Sequence, residues 1–341
     1  MEKQASILII YTGGTIGMCK DQKTGALHPV DLNDLSEYIP NLELFNYHIE
    51  SYTFDPIIDS ANMNPQFWVK LVEVIYENYE LYDGFVILHG SDTMSYTASA
   101  LSFMLENLNK PVIITGSQLP LGMIRTDGRE NFITSLEIAA AKIDDTPIVP
   151  EVAIYFEDML YRGNRTYKFN AENFDAFKSV NYPHLAEVGV NIRYNYSSIR
   201  KPNFRRLKVI KNIDPSVAIV RLFPGITQSV FHSMLHAEGL KGIVLETFGA
   251  GNAPTDEWFI DELKEAADQG LIIVNISQCR GGAVEMGKYE TSSQLKEIGL
   301  LNGGDMTTEA AITKLMIALG NCKSRHEVIK RMETNWRGEL S

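Results

Sequence analysis

Short apolar runs recur along the chain at residues 7–10, 85–88, 112–114, 152–155, 218–220, 243–245 and 271–274, each closed by polar or glycine residues. They are continuous rather than alternating. Strands with that pattern are covered on both faces, as in a parallel sheet. Helical patterns lie between them. Asn64 followed by Pro65 is a cap residue with proline at the first helical position, and Phe67, Leu71, Val74 and Ile75 then fall on one face. Further helices are predicted over about 94–105 and 129–141. Thr255 is placed to cap one through Trp258, Ile260 and Leu263, and Thr307 to cap another through Ile312, Leu315 and Met316. Strands alternating with helices predict an α/β fold with mostly parallel sheets flanked by helices.

The rhythm breaks between residues 194 and 214, a stretch with Arg200, Lys201, Arg205, Arg206, Lys208 and Lys211 around Pro202. It reads as a solvated connector. The chain therefore divides into an N-terminal domain over 1–200, a linker over 201–212 and a C-terminal domain over 213–341. At 341 residues, two domains match the usual domain size.

Charge and cysteine content narrow the function. The formal net charge is −12, which argues against nucleic acid or an anionic membrane as the main partner. The three cysteines, Cys19, Cys279 and Cys322, form no Cys-x-x-Cys pair. That fits a reducing compartment rather than a disulfide framework or zinc site. Residues 1–6 lead straight into the first apolar run without the features of a signal peptide, and no apolar stretch is long enough to span a bilayer. A cytoplasmic protein is expected. No His, Cys or carboxylate cluster shows metal-ligand spacing, so no metal is expected.

In parallel α/β sheets ligands bind beyond the carboxyl ends of the strands. The apolar runs here end in Thr12-Gly13-Gly14-Thr15, His89-Gly90-Ser91-Asp92-Thr93, Thr115-Gly116-Ser117-Gln118, Thr247-Phe248-Gly249 and Ser277-Gln278-Cys279-Arg280-Gly281. Five strand ends thus carry small hydroxyl residues near glycine, a pattern suited to gripping a small polar molecule. Thr15, beside two glycines, is the first candidate nucleophile, although a strand-to-helix turn without chemistry fits that stretch equally well. A helix starting near Thr93 would aim free N–H groups at a carboxylate, while Asp92 would meet an ammonium group. An amino acid satisfies both. Asp92 also fits a plain helix cap. His89 ends an apolar run with no acid–histidine–serine arrangement evident, and reads as a hydrogen-bonded strand-end residue.

Thr12-Gly13-Gly14-Thr15-Ile16-Gly17 and His89-Gly90-Ser91-Asp92-Thr93-Met94 resemble the two signature motifs of bacterial-type L-asparaginases. Residues 59–63, 115–120 and 248–254 resemble the same family, and residues 161–168 its cytosolic type I branch. The resemblance covers nearly the whole chain. It implies a Rossmann-like, flavodoxin-like N-terminal domain with a smaller α/β C-terminal domain, and hydrolysis of L-asparagine to L-aspartate and ammonia. Thr15 would be the nucleophile. Thr93, Asp92 and Lys168 would form a second catalytic group, with Lys168 helping to move the Thr93 proton. A threonine hydroxyl needs such help, because it is a poor nucleophile on its own. Asp59, Ser60, Ala61, Asp92, Thr93 and Ser117 would hold the substrate. No cofactor is implied. A homodimer or homotetramer is, with the site near a subunit contact.

The chain departs from the family at several points. Ser91 stands where threonine is usual, which keeps the hydroxyl. The loop over residues 18–29, expected to close over the site, lacks the tyrosine that many members carry. Tyr289 is the substitute candidate, supplied by a neighbouring subunit as in related enzymes; an ordinary surface tyrosine is the other reading. Cys279 matches a position near a regulatory asparagine site of some type I enzymes. Glu246 stands where the allosteric bacterial enzyme has arginine, and an acid there weakens carboxylate binding. Three rival functions are glutamine hydrolysis, an amidotransferase subunit (which normally carries a further N-terminal domain) and a non-catalytic amino-acid sensor. The sensor would have no need of both Thr15 and Lys168.

Overall fold

A computed structural model describes residues 4–20, 27–29, 46–287 and 290–341. The chain forms two compact units, Met1–Val209 and Ile210–Ser341. In the first, eight of the described strands form one sheet, beside several two-stranded pairs. The strands are β1 (Ala5–Tyr11), β2 (Tyr47–Thr53), β3 (Gly84–Leu88), β4 (Val112–Thr115), β5 (Val152–Phe156), β6 (Met159–Arg162), β7 (Ala186–Val188) and β8 (Ile192–Tyr194). Their order across the sheet is β8-β7-β6-β5-β4-β3-β1-β2. Strands β1 to β5 pair in parallel, and β6, β7 and β8 extend the sheet antiparallel. The α-helices among the described residues of this unit are α1 (Pro65–Glu77), α2 (Met94–Met104) and α3 (Gly128–Ala140).

Strand β1 is buried from Ile7 to Tyr11, and β3 and β4 along their whole length, as the continuous apolar runs require. Edge strand β2 is absent from the apolar-run reading. It alternates half-buried with exposed residues and carries His48 and Glu50, so the sequence offers no apolar run there. The antiparallel strands are likewise too short or too mixed to stand out.

The second unit holds a four-stranded parallel sheet, β9 (Val217–Arg221), β10 (Gly242–Thr247), β11 (Ile272–Ser277) and β12 (Leu301–Asn302), in that order. Its helices are α4 (Gln228–Leu235), α5 (Glu257–Asp268), α6 (Glu290–Ile298), α7 (Thr308–Asn321) and α8 (Arg325–Glu333). Asn64 caps α1 by accepting from Phe67 N, with Pro65 in the first turn, and Thr307 caps α7 by accepting from Ala310 N. The expectation for Thr255 fails: the cap position of α5 is Asp256, one residue later, and no side chain bonds there.

The chain's end is tied to α7 by a buried ion pair. Lys314 Nζ lies 2.6 Å from Glu339 Oε1, both fully buried. Lys314 also donates to the carbonyls of Met332 and Thr334, and Glu339 accepts from the N–H groups of Trp336 and Arg337. Removing one partner leaves the other charge buried and under-satisfied. Glu339→Ala is therefore expected to destabilise this unit by about 3–5 kcal/mol, read as a lowered urea midpoint. A shift within the error of wild type would show that the pair carries no stability.

Candidate active site

Strand β1 connects to β2 on one side, and the chain then crosses to β3 and continues outward through β4 and β5. The order therefore reverses between β1 and β3, which is where open parallel sheets form a crevice at the strands' carboxyl ends. The register makes the three relevant ends level, with Tyr11 opposite Leu88 and Leu88 opposite Thr115. Residues 12–15, 89–93 and 116–118 thus emerge side by side.

The backbones there touch closely. Gly14 has φ 91°, a left-handed conformation that side chains resist, and a Cβ on it would lie 2.4 Å from Gly90 N. A Cβ on Gly90 would lie 2.5 Å from Ser60 Oγ. Three segments distant in sequence converge through these two glycines. Thr15 opens a short 3-10 turn directly after Gly14 and is half-buried. Thr12, three residues earlier, is buried, and its Oγ1 donates to Leu88 O at 3.0 Å. One threonine of the motif ties β1 to β3, and the other stands at the turn that follows.

The second cluster is charged. Lys168 sits on a two-residue strand, Tyr167–Lys168, paired antiparallel with Phe177–Lys178. Its Nζ donates to Ser91 Oγ at 2.8 Å and to Asp92 Oδ1 at 2.7 Å. The Asp92 side chain is nevertheless 64% exposed, so part of its carboxylate is left for a ligand. Asp92 does not cap α2. The cap position is Thr93, and no side-chain cap bond forms there. Thr93 Oγ1 donates to Ser60 O at 2.7 Å. The hydroxyl of Thr93 is thus held by Ser60, while the Lys168 ammonium is held by Ser91 and Asp92.

Residues Ser60–Asn62 form a 3-10 turn whose cap is Asp59, accepting from Ala61 N at 2.9 Å. Asp59 and Ala61 are exposed and Ser60 is buried. Ser117 is buried, and its Oγ donates to Leu119 O at 2.6 Å. Tyr289 and residues 21–26 of the loop lie outside the described residues.

Some supporting residues were invisible to motif reading. Asp127 accepts from the N–H groups of Gln118 and Leu119, and Asn131 donates to Gly116 O, so α3 fixes the loop after β4. Gln118 accepts weakly from Ser91 Oγ at 3.5 Å and donates to the carbonyls of Ala171 and Asn173. Their only sequence signal is polarity at the start of a helix, which many helices share.

The inference from five hydroxyl-bearing strand ends needs correction. Two of them, at Thr247 and Ser277, belong to the sheet of the second unit, and their hydroxyls bond Asn275, Ile276 O and Gly249 O. Thr115 donates to Tyr155 O. These hydroxyls close local structure. Glu246 is buried and accepts from Arg221 at 3.1 Å and from Thr308 at 2.6 Å, so its charge is balanced by a neighbouring strand; Cys279 is exposed.

His89 is fully buried at the end of β3. Trp68 Nε1 donates to Thr97 Oγ1 at 3.1 Å, so the Thr97 hydroxyl donates onward to His89 Nε2 at 2.9 Å. The proton of the imidazole is then on Nδ1, which donates to Gly90 O at 2.6 Å. Burial lowers the His89 pKa from 6.5 to about 4. The unfolded chain takes up this proton first as pH falls, so the contribution of neutral His89 is complete above pH 6.5 and lost toward pH 4. The loss is expected to be about 3 kcal/mol. Urea unfolding across that window should show this fall in wild type and its absence in His89→Gln. Parallel curves would refute it.

Half-buried Thr15, the Lys168–Asp92 pair and the N-terminus of α2, gathered at the switch point of a mostly parallel sheet, suit the chemistry of an amino-acid amidohydrolase. Sequence comparison agrees. Residues 6–200 match the family model "Asparaginase, N-terminal", and residues 216–332 match "Glutaminase/Asparaginase C-terminal domain". The chain belongs to the asparaginase family and is an L-asparaginase-type hydrolase. It is 43% identical to L-asparaginase 1 of Escherichia coli K12, over 100% of this chain and 99% of the relative. Among solved structures, L-asparaginase I of Vibrio cholerae matches at TM-score 0.89 and 39% identity, covering 99% of this chain and 100% of that one. The thermostable L-asparaginase of Thermococcus kodakarensis matches at TM-score 0.90 and 32% identity, covering 98% and 99%.

Proposed function

We propose that the chain hydrolyses the side-chain amide of L-asparagine to L-aspartate and ammonia, with Thr15 as nucleophile. The observation that carries the reading is the juxtaposition of half-buried Thr15 with the Lys168–Asp92–Ser91 cluster across the β1/β3 switch point. The α-ammonium of the substrate meets the exposed part of Asp92, and its α-carboxylate meets Ser60 and the uncapped N–H groups of α2. Thr15 Oγ1 attacks the amide carbon. Backbone N–H groups near the strand ends stabilise the oxyanion, ammonia leaves, and water cleaves the acyl ester. The net reaction is amide plus water to acid plus ammonia, so it is redox-neutral and calls for no cofactor. Lys168 and Thr93 form the second proton-handling group. For Thr93 to release its proton toward Lys168, its hydroxyl must turn away from Ser60 O.

The family, the relatives' names and the site chemistry support this reading. Among the described residues no helix is long and apolar enough to cross a membrane. We propose a cytoplasmic enzyme acting as a homodimer or homotetramer, with Tyr289 of a neighbouring subunit as the candidate to replace the missing loop tyrosine. The experiment is ammonia release from L-asparagine and from L-glutamine. The two substrates differ by one methylene, worth only about 1–3 kcal/mol of discrimination, so their ratio must be measured. Turnover of asparagine with a higher kcat/KM than glutamine is expected. A folded protein that binds asparagine and releases no ammonia would favour the sensor reading.

A further inference from the structure

The second unit holds a cluster that the proposed reaction does not use. His232 and His236 lie one turn apart, on α4 and at its C-terminal cap, and Glu262 lies on the neighbouring α5. We propose that these three residues form a binding site for a divalent transition-metal cation of the zinc class.

One ligand atom from each residue lies within 4.8 Å of the others. His232 Nδ1 is 2.7 Å and His236 Nε2 3.6 Å from the same oxygen, Oε2 of Glu262. Donors about 2.0–2.2 Å from a tetrahedral cation stand roughly 3.3 Å apart. The His236–Glu262 pair already has that separation. His232, half-exposed at its side chain, needs a small turn to reach it.

Hydrogen bonding explains why a cation suits the gap. Gln269 Nε2 donates to Glu265 Oε1 at 3.0 Å, which points the Gln269 carbonyl oxygen at His236 Nδ1, 3.2 Å away. An acceptor there places the proton of a neutral imidazole on Nδ1. Nε2 is then a bare lone pair. It is buried and makes no hydrogen bond, and it faces a carboxylate oxygen that also carries lone pairs. That oxygen accepts from His232 Nδ1–H at 2.7 Å, and a cation in place of this proton engages Glu262, His232 and the unpartnered Nε2 of His236 together.

The surroundings resemble those of a built site. A metal-binding histidine usually hands its other N–H to an acceptor, as His236 does to Gln269, and a ligating carboxylate is usually fixed by a donor. Gln228 Nε2 supplies that donor to Glu262 Oε1 at 2.9 Å. The two histidine rings stack 4.3 Å apart. The helices beneath are locked by Phe231 stacked on Phe259 at 4.7 Å, next in sequence to His232 and deep in the core of this unit. Imidazole nitrogen with one carboxylate suits zinc, nickel or copper rather than calcium or magnesium. The expectation of no metal fails to use the spacing His232-x-x-x-His236, which puts both rings on one face; the third ligand comes from another helix, and only the fold reveals it.

The test is titration of the untagged, chelator-stripped full-length protein with Zn²⁺ by calorimetry and with Co²⁺ by visible absorption. One cation per chain is expected, with Co²⁺ bands of nitrogen and oxygen ligation and no thiolate charge-transfer band from Cys279 or Cys322. His236→Ala and His232→Ala should each weaken binding by at least about tenfold, a loss typical for disturbing a metal's coordination sphere. Glu262→Gln, which preserves shape, should do the same, and circular dichroism checks folding of each variant. Zn²⁺ should also raise the Tm of wild type more than that of His236→Ala. No binding by wild type at millimolar Zn²⁺, or equal binding by the His232→Ala, His236→Ala double variant, would overturn the site.

Discussion

Thr15→Ala is expected to lower kcat for asparagine hydrolysis by roughly 10³–10⁶-fold, the range seen when a covalent nucleophile is removed. The physical reason is local. Thr15 comes directly after Gly14, whose φ of 91° turns the chain at the carboxyl end of β1, and it is the half-buried hydroxyl of a motif whose other threonine is bound to Leu88 O. Alanine keeps the turn and removes the hydroxyl proposed to attack, together with the γ-methyl group. Asparagine binding should persist within a few fold, because Asp59, Ser60 and Asp92 come from other segments. Thr15→Ser, which retains the hydroxyl, should keep part of the activity. Steady-state ammonia release together with calorimetric binding reads both quantities. Thr15→Ala turning over above a tenth of the wild-type rate would move the nucleophile to Thr93 or to water.

Lys168→Met is expected to cost about 10²–10⁴-fold in kcat/KM, the range for losing a positioned proton-transfer group. The lysine is only 19% exposed, and its Nζ holds Ser91 and Asp92 at 2.8 and 2.7 Å. Methionine keeps the packing of the stem and leaves Asp92 without its partner. The proposed roles separate kinetically. If Lys168 serves only to orient Asp92 for substrate binding, KM rises and kcat holds. If it also moves a proton, kcat falls. Lys168→Arg should rescue poorly, since a planar guanidinium cannot take the place of a compact ammonium between two close acceptors. A Lys168→Met enzyme within twofold of wild type in both constants would return Lys168 to the ordinary surface lysines.

How legible the molecule is in its sequence depends on which physical forces are local. The buried strands β1, β3 and β4 show as apolar runs because both faces are covered. The caps Asn64 and Thr307 show because capping involves residues two or three apart. Edge strand β2 does not show, since one side of it faces water and its polar residues hide the pattern. Nor does the strand-end pattern separate the hydroxyl proposed to attack from the structural ones. Thr12, Thr115, Thr247 and Ser277 stand in the same kind of setting as Thr15, and each is bound to a neighbour only the fold supplies.

By itself, then, the sequence determined the α/β class and, through its motifs, the family. Tertiary structure alone decided that the order reverses between β1 and β3, that Gly14 meets Gly90 and Gly90 meets Ser60, and that Lys168 reaches Ser91 and Asp92. It likewise brought Glu262 to His232 and His236. Burial and capping act over a few residues, so their marks stay in the local sequence. Convergence of side chains tens of residues apart is set by sheet order and helix packing, and is expressed only when the whole chain has folded.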